Sequence, residues 1–191
     1  MKKYVRPLVP LLIGLFVIFG YGCKKEQPLQ TFNIVPGVRI GDFKLGDNLQ
    51  TLKSYITETT ASHITAGIGG GLYIHLLDYE ETGIMFSFVI NSSTLSDSDI
   101  PESISAYSPF KCNTEKGITI GSLLTDVKEA YGTPDEITEN GDCDYNSLGI
   151  TFSADDDTGT KVLMISIEIP GTKSKSLSSI RNEITIGKLI Y

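Results

Sequence analysis

The chain has 191 residues, with 16 Lys and Arg against 23 Asp and Glu, a formal charge of −7 at neutral pH, three cysteines and two histidines. Lysines cluster only near the two ends (Lys2 and Lys3, Lys24 and Lys25, Lys173 and Lys175), so the basic patch that a phosphate backbone requires is missing and nucleic acid is excluded as an expected partner. So few histidines and cysteines also leave little with which to build a metal-dependent or thiol enzyme.

Residues 1–22 read as a secretory signal: Lys2, Lys3 and Arg6 make a basic start, and the apolar run from Pro7 is shorter than the ~20 residues that span a bilayer as a helix. It ends at Gly22-Cys23, as bacterial lipoprotein precursors do, which predicts cleavage before Cys23 and lipidation of its thiol. Ordinary cleavage and an uncleaved anchor are the alternatives, and Tyr21 and Gly20 depart from the usual lipobox. Removing this leader takes three basic residues and no acidic one, leaving a formal charge of about −10. Residues 23–36, polar with Pro28 and Pro36, read as a tether, and Lys24 and Lys25 suit anionic head groups. The expected location is the cell envelope, membrane-anchored by lipid and facing the periplasm or the surface.

Residues 37–103 form the first expected module. Residues 38–45 alternate, predicting a strand or two short ones around Gly41; Asp47 with Gln50 has capping-box spacing and starts a helix that runs to Ile56. Residues 58–71, rich in Thr and Ser and ending in Gly67-Ile-Gly-Gly-Gly71, read as a flexible loop, and Leu72-Tyr73 stands where a phosphate loop needs Lys-Ser or Lys-Thr. Residues 72–77 and 84–90 are predicted strands, and residues 91–102 a polar connector.

Residues 104–170 form the second expected module, opening with a strand at 104–107. Ile118 and Ile120 predict a short strand, Gly121 a sharp turn and Ser122 a helix cap. Leu123, Leu124, Val127, Ala130 and Tyr131 then share one helical face, which Gly132 and Pro134 terminate. Residues 148–152 and 162–169 are predicted strands. The acidic stretch between them, Asp155 to Gly159, lacks EF-hand spacing and reads as a solvated turn. In the tail, 171–191, Ile184-Thr-Ile-Gly187 repeats Ile118-Thr-Ile-Gly121, as a closing strand or a truncated third copy.

The two modules match each other. Residues 43–56 superpose on 118–131, placing Gly46 on Gly121, Leu52 on Val127 and Lys53 on Lys128. Downstream, Tyr79-Glu-Glu-Thr-Gly-Ile-Met-Phe86 aligns with Tyr145-Asn-Ser-Leu-Gly-Ile-Thr-Phe152. Two matches in the same order imply a duplication.

No catalytic constellation is visible. His63 and His75 lack HExxH spacing and read as surface or packing residues; no serine sits in a Gly-x-Ser-x-Gly elbow. No enzyme activity, cofactor or metal is expected. Cys112 and Cys143 predict a single disulfide in an oxidising compartment, closing the loop that holds the second helix, with two free buried thiols as the alternative.

The pattern Ile118-x-Ile120-Gly121-Ser122, Val127, Tyr131-Gly132-x-Pro134, Tyr145 and Gly149-Ile-x-Phe152 resembles modules of the SmpA/OmlA (BamE-like) outer-membrane lipoprotein family, and tandem copies of a related fold occur in the β-lactamase inhibitory proteins. The resemblance implies helices layered on antiparallel sheet and a habit of binding proteins, and it transfers no functional residue. The fold expected is therefore α+β, two tandem modules, each a short helix packed on an antiparallel β-sheet. The function expected is that of a lipid-anchored envelope protein acting through protein contact in assembly, inhibition or adhesion. The alternative is a small-ligand or divalent-cation binding module at Asp142, Asp144 and Asp155 to Asp157.

Overall fold

Apolar residues alternate with small polar ones in Ser103–Tyr107 and Ile150–Ala154, and because strand side chains point to opposite faces in turn, such segments give a strand one face for a core and one for another environment. The computed structural model describes residues 33–154 and 158–172. Three two-residue strands, β1 (Ile34–Val35), β2 (Arg39–Ile40) and β3 (Phe43–Lys44), form a small sheet and lead into helix α1 (Leu49–Lys53). Strands β4 (Ser62–Gly69), β5 (Leu72–Tyr79), β6 (Ile84–Ile90) and β7 (Ser103–Tyr107) follow, then helix α2 (Leu124–Tyr131), then β8 (Glu136–Ile137), β9 (Cys143–Tyr145), β10 (Ile150–Ala154) and β11 (Val162–Glu168). These last eight strands make one antiparallel sheet in the order β4-β5-β6-β7-β11-β10-β9-β8.

The order is palindromic: each half contributes four consecutive strands, and the halves meet at β7 and β11. Their register is symmetric about Ser105 and Ser166, which oppose each other and share a hydroxyl–hydroxyl bond of 2.8 Å, with Tyr107 opposite Met164 on one side and Ser103 opposite Glu168 on the other. Segments that match in sequence hold the same places. Tyr79 pairs with Ile84 across one turn and Tyr145 with Ile150 across the other. The N–H of Gly83 donates to the Tyr79 carbonyl at 2.8 Å, and that of Gly149 to the Tyr145 carbonyl at 3.0 Å. Tyr79 meets Phe86 edge to face with centroids 6.0 Å apart, as Tyr145 meets Phe152 at 6.0 Å.

One face of the sheet carries the main core. Leu77, Phe86, Phe88, Ile104, Phe152, Ile165 and Ile167 pack there with Ile34, Ile40 and Phe43 of the small sheet and with Leu49, Leu52, Leu124 and Val127 of the helices. The other face holds a smaller apolar cluster (Ala66, Ile74, Leu76, Met85, Met164) and a buried row of Ser87, Ser103, Ser105, Thr151, Ser153 and Ser166.

These findings correct the expected α+β fold of two tandem helix-on-sheet modules. The described residues are mostly β, with two helices of five and eight residues, and both halves lie in one eight-stranded sheet over one continuous core. The described residues fall in one compact unit. The physical reason lies in the edges: two separate four-stranded sheets would leave the backbone groups of β7 and β11 unpaired, and joining them removes both edges.

Local expectations shift as well. The cap of α1 is Asn48 rather than Asp47, its Oδ1 accepting from the Thr51 backbone N–H at 2.9 Å and the Thr51 hydroxyl at 2.8 Å. Ser122 does not cap α2. Its Oγ accepts from the Thr119 N–H at 3.0 Å, and the Leu124 N–H at the helix start donates to the Thr160 carbonyl at 2.8 Å. Ile118 and Ile120 form no strand, while Gly132 ends α2 with φ 85° as expected. Residues 58–71 contain β4 rather than a loop; its turn glycines, Gly70 and Gly71, both adopt positive φ. The 184–187 repeat lies outside the described residues.

Candidate functional site

Strand β4 is one end of the large sheet, and among the described residues its one strand partner is β5, which pairs with seven of its eight residues while Ile68 bulges between Gly67 and Gly69. Ile64, Ala66 and Ile68 alternate along the strand; Ala66 belongs to the smaller apolar cluster, Ile68 packs half-buried against it and Ile64 is 41 % exposed. No Asp, Glu, Lys, Arg or proline interrupts Ser62–Gly69, two of the devices that protect an edge strand from pairing, and the strand's one such device is the bulge at Ile68. The start of the strand is fixed from behind by Glu58, whose carboxylate accepts from the Thr82 N–H and hydroxyl, each at 3.0 Å. At the opposite end of the sheet, β8 spans two residues only.

The other row of β4 carries His63 and Thr65, and Thr65 lies opposite His75 on β5. His63 Nε2 and His75 Nδ1 stand 3.2 Å apart, and Thr65 Oγ1 lies 3.3 Å from the first and 3.0 Å from the second. His75 is fully buried, and its Nε2 lies 2.9 Å from the Ser92 carbonyl. A carbonyl only accepts, so Nε2 carries the proton of the neutral ring and Nδ1 presents a lone pair. Burial, and then the neighbouring His75, lowers the pKa of His63. The sequence places these histidines 12 residues apart with no helical spacing, and only the β4–β5 register brings them together. The alternation His63-Ile64-Thr65-Ala66 was the available signal for that strand, outweighed by the glycines after it.

The predicted site residues fall elsewhere. Cys23 and Asp155 to Asp157 lie outside the described residues. Cys112 and Cys143 are separate buried thiols with no bridge between them. Burial pushes the Cys112 thiol up to about 11 and raises that of Cys143. Asp142 and Asp144 are buried and hold the sheet edge together: Asp142 Oδ1 accepts from the Ala154 N–H at 2.9 Å, and Asp144 Oδ1 from the Thr151 hydroxyl at 3.0 Å. Burial raises the Asp144 pKa, with Glu136 and Asp135 adding to the shift and the Thr151 hydroxyl opposing it. Asp142 Oδ2 is buried without a hydrogen-bond partner. Among the described residues no group of three or more His, Cys, Asp or Glu side chains gathers as a metal set, and no helix is long and apolar enough to cross a membrane. Comparison with protein-family models, curated proteins and solved structures finds no match to this chain.

Proposed function

We propose that the chain is a lipid-anchored envelope protein, held through Cys23, that acts by protein contact, with β4 as the edge onto which an extended strand of a partner protein adds. The observation that carries this reading is the eight-residue end strand without Asp, Glu, Lys, Arg or proline, with Ile64 exposed and β5 its one strand partner among the described residues. Strand addition takes its affinity from main-chain hydrogen bonds and its selectivity from alternate side chains, here Ile64 and Ile68 on one face and His63 and Thr65 on the other. The residue pattern shared with the SmpA/OmlA (BamE-like) lipoproteins supports the same reading by analogy. The cation alternative at Asp142 and Asp144 is less favoured, because each already binds its own sheet through a carboxylate oxygen.

The test places a photo-crosslinking residue at Ile64 in β4 or at Ile137 in β8, both exposed, in cells that produce the full chain. A discrete adduct at position 64, absent at 137 and lost when Ile68→Lys charges the strand, is the expected result; no adduct, or equal adducts at both edges, overturns it. An adduct of twice the chain's mass identifies a second copy and overturns the separate partner. Cys23→Ala should release the protein from the membrane fraction.

A further inference from the structure

Three donor atoms from two strands converge beside the β4 edge, and their spacing is that of a coordination face. The sides of the triangle His63 Nε2, His75 Nδ1 and Thr65 Oγ1 are 3.2, 3.0 and 3.3 Å. A circle through these atoms has a radius of about 1.8 Å, less than the ~2.0–2.1 Å of a zinc–nitrogen bond, so a point about 1 Å off their plane lies at bonding distance from all three. We propose that His63, Thr65 and His75 form a binding site for a divalent transition metal ion of the zinc type, independent of the protein-contact reading.

The surroundings suit that assignment. The Ser92 carbonyl holds His75 Nε2–H from behind, the outer arrangement that orients a metal-binding imidazole and leaves its other nitrogen bare. His63 and Thr65 are exposed, which gives an ion a path in and leaves a fourth position to water. Two imidazoles select against calcium and magnesium, which take oxygen donors. In the metal-free pair, a neutral His63 donates Nε2–H to His75 Nδ1. Binding requires His63 to carry its proton on Nδ1 instead, an exchange through water that releases none; from a cationic His63 one proton leaves to solvent. No redox change is involved.

The experiment titrates zinc chloride into the purified full-length protein in detergent micelles by calorimetry, with the histidine ring nitrogens followed by NMR. We expect one equivalent bound with a Kd of about 10 μM or tighter, shifts at both His63 Nε2 and His75 Nδ1, and binding weakened at least about tenfold in His63→Gln. Thr65→Val, at an exposed position, should weaken it by a smaller factor. The assignment is overturned if the protein takes up no zinc at about 1 mM, if His63→Gln binds as tightly as the parent, or if the ring-nitrogen shifts stay unchanged. Unaltered affinity in Thr65→Val overturns the three-atom site.

Discussion

The two halves of the large sheet are alike where they meet and unlike where they end. Near the centre, Gly83 and Gly149 occupy the same turn, Tyr79 and Tyr145 the same pair position, and Ser105 faces Ser166 across the seam. At the outside, the first half ends in a hairpin of two eight-residue strands, the second in strands of two and three residues. A duplicated segment is constrained most where the copies must fit each other, since one register error there would turn both halves' apolar faces out of the core. The outer strands answer only to what they meet, and there the long β4 and the short β8 have diverged.

The shared turn gives the most severe test. Gly83 and Gly149 have φ of 74° and 70°, and an added Cβ would press on the Tyr107 carbonyl in one half and the Glu168 carbonyl in the other, the equivalent ends of β7 and β11. Gly83→Ala and Gly149→Ala should each destabilise by about 3 kcal/mol or more, read as a lower denaturant midpoint. A large loss in one and none in the other would break the equivalence. The helices come next: Leu52 and Val127 are both fully buried, so Leu52→Ala should cost about 2 to 5 kcal/mol and Val127→Ala less, in proportion to its smaller side chain.

Asp144 and its counterpart Asp78 sharpen the comparison, the first through pH. They are equivalent positions that accept hydroxyls from Tyr107 and Thr151. Because the Asp144 pKa is raised in the folded state, its contribution favours folding most below the unfolded value and is lost as pH rises through the folded one. Asp144→Asn should therefore gain stability relative to the parent on going from acid to neutral pH; a constant difference between the two proteins across that range would refute the shift. Lys53 and Lys128, matched and exposed, should matter little. Lys128→Ala should change stability by less than ~0.5 kcal/mol, and Lys53→Ala by at most about 1 kcal/mol, since its 2.7 Å ion pair with Asp97 lies at the surface. The smallest expected effect is nil: a reductant should leave the midpoint of the cell-derived protein unmoved, because Cys112 and Cys143 are unbridged. A drop of about 3 to 4 kcal/mol would reveal the bridge that compartment and parity predict.

The central strands were legible because their chemistry is local. β6 and β11 carry dense β-branched and aromatic residues, and β6 spans the residues 84–90 predicted for it. The Gly-Ile-x-Phe match foretold equivalent turns, and these exist. β4 is hard to read locally because Gly and Ala have weak strand preference, and its apolar positions are satisfied by a register with β5 that no local window contains. The fold class failed for a related reason. Nothing in residues 103–107 or 162–168 announces that these two strands seek each other. The histidine cluster is hidden by the same register, since His63 and His75 meet only across the β4–β5 hairpin.

The seam between β7 and β11 also sets a timetable. Synthesis proceeds from the N-terminus, so β7 is complete 61 residues before the end of its partner emerges, a wait of roughly 3 to 12 s at ~5–20 residues per second. During that interval the first half has β7 as a second open margin beside β4. β7 is short, and Ser103 and Ser105 make one of its faces polar, which lowers its adhesiveness while it waits. A chain interrupted before residue 162 lacks β11, and its β7 stays an open edge.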